Sequence, residues 1–259
     1  MYVDDRGSGT PVLLLHPFPF DGRIFDEIAP RIAEKARCLT VDLPGSGRSR
    51  GLAPSSLTDH AAALVQLLDD LQTGPAVICG LSFGGYLALT LARVSPRCLA
   101  GLVLAGTRAT ADTPKILEQR AAAADLTRTA GVHALVAKQL PSWLSDDPPE
   151  AARDAATRVA LRQTPQAVLA GLEAMAGRPD ATPVLAGVKV PAHIVSGAAD
   201  KLIKPDEMRA LLAIPGSVFH EVRGAGHLLH LTHPDALVDA IFATVAAVSR
   251  APLAQGRDT

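Results

Sequence analysis

Short, nearly uninterrupted apolar runs recur along the chain, at 12–15, 39–42, 76–79, 102–105, 192–195 and 217–219. A strand needs both of its faces apolar when helices cover both sides of its sheet. Helical patterns fall between the runs and predict helices over 25–36, 57–71, 83–94, 205–212 and 234–248. Ser56 or Thr58 is a plausible cap for the second of these. Pro205 and Pro234 sit at helix starts, where a missing N–H costs little. Strand and helix alternating in this way point to an α/β fold with a mostly parallel central sheet and helices on both faces. Residues 1–4 are expected to add an outer strand.

The alternation stops once. Between Leu104 and Ala192 no strand pattern occurs, and 107–186 is rich in Ala, Arg and Leu. Helix-like stretches fall at about 114–126, 131–139, 149–163 and 165–176, punctuated by Pro141, Pro148, Pro149, Pro165 and Pro179. The segment reads as a helical cap inserted in the core. With 259 residues, the expected organisation is one core, 1–106 and 187–250, a cap at 107–186 and a loose tail at 251–259.

Composition narrows the partners. Net charge is −1 with 20% charged residues, which gives no polyanion-binding surface, so no nucleic acid is expected. Cys38, Cys79 and Cys98 are odd in number and contain no Cys-x-x-Cys. A disulfide framework is not expected, and a reducing, cytoplasmic setting is. The start carries Asp4, Asp5 and Arg6 and lacks the pattern of a signal peptide. Residues 75–92 hold no charge, as a membrane span would. Gly80, Gly84 and Gly85 break that run around a polar Ser82, so a buried strand, a sharp turn and a buried helix explain it better, and no membrane is expected.

That turn carries the chemistry. Gly80-Leu81-Ser82-Phe83-Gly84 fits Gly-x-Ser-x-Gly between a strand and a helix. The serine must sit on a tight turn with its hydroxyl projecting, where flanking side chains would collide with backbone. A serine hydroxyl is a weak nucleophile without a base. Among the eight histidines, His227 is the strongest candidate, in a Gly224-Ala-Gly-His227 loop after the last strand. His230 and His233 beside it read as structural or solvated. His193 and His220 fall in or beside strands, and His60 and His133 fall on helices. Asp200, after the 192–195 strand, is the expected orienting acid; its bland alternative is a loop or helix-capping aspartate.

Stabilising a developing oxyanion needs two N–H donors. One is expected from Phe83, the residue after the nucleophile. The other should come from His16-Pro17-Phe18-Pro19-Phe20, where Pro17 and Pro19 have no N–H. Phe18 is the expected donor and Phe20 the fallback, while His16 is expected to brace the loop. His16, Phe20 and Trp143 are further candidates for the pocket, and ordinary packing is an equal alternative for Trp143. Asp42-Leu-Pro-Gly-Ser-Gly-Arg-Ser49 has neither a Gly-Lys-Ser/Thr nor a full dinucleotide fingerprint and reads as a structural turn. Metal ligands with usable spacing are not found.

These segments together resemble the α/β-hydrolase superfamily, in the branch of small esterases, enol-lactonases, cofactor-free haloperoxidases and carbon–carbon hydrolases. The residues carrying the resemblance are 16–20, 42–49, 80–85, 197–200 and 224–227, and the chain order Ser82, Asp200, His227 is that superfamily's. The resemblance implies a helical cap between the sixth and seventh strands. There are departures. His16-Pro17 replaces the usual His-Gly, Pro205 follows Asp200 by five residues rather than four, and Thr232 stands where relatives often carry an acid. Gly106 stands where some relatives place a rival acid. The expected function is hydrolysis of a small carboxylic ester or lactone through an acyl-enzyme, without a cofactor. Carbon–carbon hydrolysis, perhydrolysis or cyclisation on the same machinery is the alternative, and a non-catalytic binding protein a further one. A small-molecule substrate is the implied partner; the sequence sets no oligomeric state.

Overall fold

The structure, a computed structural model, describes residues 1–49 and 51–250. The tail expected at 251–259 lies outside the described residues. Seven strands form one sheet in the order β1-β3-β2-β4-β5-β6-β7. They are β1 (Tyr2–Arg6), β2 (Pro11–Leu15), β3 (Arg37–Asp42), β4 (Ala76–Leu81), β5 (Leu99–Ala105), β6 (Ala192–Gly197) and β7 (Val218–Val222). Only β1, the expected outer strand, pairs antiparallel, on β3; the other neighbours are parallel. The central runs are covered on both faces, with Val12 to Leu15 and Ala76 to Cys79 wholly buried.

The core helices are α1 (Ala29–Ala33), α2 (Leu57–Asp70), α3 (Phe83–Val94), α8 (Pro205–Arg209), α9 (Leu229–Thr232) and α10 (Pro234–Arg250). α3, flanked by α2, packs on β2, β4 and β5; α10, beside α1, packs on β5 and β6. Ser56, not Thr58, caps α2 by accepting from Asp59 N–H. The single helix expected over 25–36 is instead a 3₁₀ turn at Gly22–Phe25 followed by the short α1. Pro30 lies inside that span, and a proline cannot sit in a helix interior without losing a hydrogen bond and clashing with the preceding turn. The 42–49 segment is a structural turn. Asp42 is buried and accepts from the N–H groups of Gly22 and Arg48 and from the Arg48 guanidinium.

From β5 to β6 the chain runs only through helices: α4 (Pro114–Trp143), α5 (Glu150–Ala160), α6 (Pro165–Ala176) and α7 (Thr182–Leu185). α4 breaks at Gly131, whose φ of 78° lies in the left-handed region that glycine tolerates. This helical stretch lies between the fifth and sixth strands of the sheet, where the resemblance implied the sixth and seventh. The strand order reverses between β2 and β4, so their following loops diverge and leave a crevice at the C-terminal edge of the sheet.

Candidate active site

Ser82 sits at that crevice, between β4 and α3, with φ 54° and ψ −110°. A non-glycine residue there is strained and must be held by its surroundings. Ser82 N–H donates to Ala105 O at 2.8 Å, and its carbonyl accepts from Gly85 N–H and from the Thr107 hydroxyl. The glycines make the turn possible. A Cβ on Gly80 would strike the Gly84 carbonyl, and one on Gly84 would strike the Leu15 carbonyl.

The loop after β7 carries His227 and the loop after β6 carries Asp200. His227 Nδ1 lies 2.8 Å from Asp200 Oδ2, and His227 Nε2 lies 2.9 Å from Ser82 Oγ. A carboxylate only accepts, so Nδ1 carries the proton and Nε2 is left to accept from the serine hydroxyl. Asp200 Oδ1 accepts from Leu202 N–H at 2.8 Å and Ile203 N–H at 3.0 Å. Burial pushes the Asp200 carboxyl up, but its attraction to and hydrogen bond with the His227 imidazole, with the Ile203 and Leu202 N–H groups, outweigh it and hold it below the ordinary carboxylate range. Gly106 keeps the far side of the imidazole clear: a Cβ there would lie 3.2 Å from His227 Nδ1.

Phe83 is the first residue of α3, so its N–H has no intrahelical acceptor. Phe18 N–H likewise donates to no acceptor among the described residues, whereas Phe20 N–H donates to Pro17 O at 3.1 Å. Of the two residues considered for the loop donor, Phe18 alone is free. His16 Nδ1–H donates to Pro17 O, and its Nε2 accepts from Leu43 N–H. Both ring nitrogens are occupied, and burial pushes this imidazole's pKa down, so it remains a neutral brace.

Ser82 and His227 open on a cavity of about 420 Å³ whose walls include Phe18, Trp143, Arg108 and Arg120. Trp143, on α4, lines the cavity and also packs edge-on against Phe20, with ring centroids 5.0 Å apart. His16 and Phe20 line a neighbouring small cleft instead. Phe18 lines both. The other histidines lie elsewhere. His60 packs edge-on against Phe83, His230 binds Ile24 O, and His193 stacks on His220. Burial lowers the pKa of His60 to about 4 and that of His230 to about 3. Arg108, Asp112 and Arg120 were not singled out in the sequence. Arg108 and Asp112 lie between β5 and α4 and Arg120 in α4, and no motif marks them.

The chain matches the alpha/beta hydrolase family over residues 12–240. It is similar to a pimeloyl-[acyl-carrier protein] methyl ester esterase of Stenotrophomonas maltophilia, 29% identical over 97% of this chain and 98% of that protein. It is 30% identical to part of the polyketide synthase ThaQ of Burkholderia thailandensis, over 96% of this chain but spanning only 12% of that protein. Among solved structures it is similar to a thermophilic esterase from Thermogutta terrifontis, with a TM-score of 0.89 and 32% identity over 95% of this chain and 93% of that one. An enol-lactonase from Burkholderia xenovorans aligns with a TM-score of 0.85 and 25% identity, over 95% of this chain and 96% of that one. Sheet order, the residue order around Ser82 and these matches agree: this chain is an enzyme of the α/β-hydrolase family.

Proposed function

We propose that the protein hydrolyses a small carboxylic ester or lactone through a Ser82–His227–Asp200 triad and an acyl-enzyme. The observation that carries this reading is the continuous hydrogen-bonded line from Asp200 through His227 to Ser82 Oγ, ending at an open cavity. Ser82 Oγ attacks the carbonyl carbon while its proton passes to His227 Nε2. The imidazolium is stabilised by Asp200, and the oxyanion accepts from the N–H groups of Phe18 and Phe83. Collapse expels the alcohol, which takes the proton from Nε2. Water, deprotonated by the same nitrogen, attacks the acyl carbon and restores Ser82. Every proton and charge has a residue to take it, and water is the only co-substrate.

The relatives named as esterases and an enol-lactonase support the substrate class. Residues 107–186 act as a cap over a core of 1–106 and 187–250, since Trp143 and Leu135 from α4 line the cavity. No described helix is long and apolar enough to cross a membrane. The three free, buried thiols suit a reducing cytoplasm. A short-chain 4-nitrophenyl ester is expected to release 4-nitrophenol in an initial burst equal to the enzyme concentration, then steadily, because acylation by an activated ester outruns deacylation. Release no faster than in buffer, at every short chain length, would overturn the proposal.

A further inference from the structure

Three cations, Arg108, Arg120 and Lys138, line the cavity that holds Ser82, and no carboxylate does so among its described lining residues. Behind this wall lies Asp112, its side chain only 1% exposed. It accepts from Arg120 Nε and Nη2 and from Arg178 Nη1, with Arg108 Nη2 at 3.5 Å. The one further acid in the cluster is Glu207, which pairs with Arg108 Nη1 at 2.7 Å and also caps α8 by accepting from Lys204 N–H. Burial pushes the Asp112 carboxyl up, yet Arg120 and Arg178 outweigh it and hold it below the ordinary carboxylate range.

The guanidinium donors exceed their acceptors. Arg178 donates through both Nη atoms to the carbonyls of Thr110 and Met175 and lies over the Tyr86 ring, and its buried Nε has no partner. Arg108 is 7% exposed, and its buried Nε has no partner. Arg120 Nη1 rests 3.0 Å from the Met175 sulfur, a weak acceptor for a charged donor. A charged donor without a strong acceptor is costly, and a ligand carboxylate at Arg120 Nη1 would relieve it. Asp112 occupies Nε and Nη2 of Arg120, which fixes its guanidinium and leaves Nη1 as the donor for a ligand.

We propose that this wall is a subsite for a carboxylate carried by the substrate away from its scissile bond, held by Arg120 and Arg108 with Lys138 at the mouth. The inference rests on the ester-hydrolysis reading and names its substrate class: carboxylated esters, such as half-esters of short dicarboxylic acids.

The test compares kcat/KM for mono-4-nitrophenyl glutarate with that for its neutral methyl diester, and for 4-acetoxybenzoate with that for its methyl ester. The first pair places the charge on the acyl side and the second on the leaving side. The charged member of at least one pair is expected to be preferred by about tenfold or more, the scale of one charge-assisted hydrogen bond. The preference should fall with added salt. In Arg120→Gln and Arg108→Gln the ratio within that pair should drop toward unity. A variant that only folds poorly lowers both rates and leaves the ratio unchanged. Equal rates within both pairs, or ratios unchanged in both variants, would overturn the subsite. Calorimetric binding of glutarate to Ser82→Ala protein, lost when Arg120→Gln is added, reads the subsite without hydrolysis, so it separates failure of the wall from failure of the ester chemistry.

Discussion

Replacing Ser82 by alanine is expected to lower kcat/KM for a short-chain 4-nitrophenyl ester by at least about 10³-fold, about 4 kcal/mol of transition-state stabilisation. The side-chain oxygen is the only atom removed, and its one hydrogen bond runs to His227 Nε2. The backbone at 82 keeps its anchors, since Ala105 O, Gly85 N–H and the Thr107 hydroxyl all meet main-chain atoms of residue 82. Alanine meets the positive φ of 54° with the same Cβ as serine, so strain is unchanged. Thermal unfolding should therefore move little while turnover collapses. Equal rates in both proteins would remove Ser82 from the chemistry.

Asp200→Asn is expected to cost a comparable or larger factor, about 10⁴ in kcat. The direction follows from the hydrogen bonds. The N–H groups of Leu202 and Ile203 both point at Asp200 Oδ1. In an asparagine the carbonyl oxygen must occupy that place, which turns the amide NH₂ toward His227. Nδ1 must then accept, and the imidazole proton moves to Nε2, facing the serine hydroxyl with a donor where an acceptor is needed. KM should change little, since Asp200 does not line the cavity. A kcat loss of under tenfold would mean that Asp200 is only a loop-capping residue. Because the Asp200 carboxyl is held below its ordinary range of about 4, it stays ionised from neutral pH down to about 4. Loss of activity on mild acidification thus belongs to another group.

The strands were legible where burial on both faces left continuous apolar sequence, as at Val12 to Leu15. Their ends were not. Arg37 and Glu221 lie in β3 and β7, where ladder pairing rather than hydropathy extends the strand. The helix expected over 25–36 ran through Pro30 without allowing for it, and the 3₁₀ turn before it left no hydropathy signal. The order Ser82, Asp200, His227 was legible because each residue follows a strand end of a parallel sheet, so topology brings them to one edge. The pocket was less so. His16 and Phe20 were counted with it on proximity in sequence, yet their side chains are held by the Leu43 N–H and by Trp143, contacts that span the fold. The cationic wall of Arg108 and Arg120 exists only once α4 folds back over the sheet.

The central claim is that Ser82 is a nucleophile activated by His227, and covalent labelling tests it most directly. Native protein treated with a fluorophosphonate is expected to gain one adduct, found by peptide mass mapping on Ser82. Ser82→Ala should gain none, and His227→Ala should react far more slowly. An adduct on another residue, or one that persists at full yield in Ser82→Ala, would contradict the account.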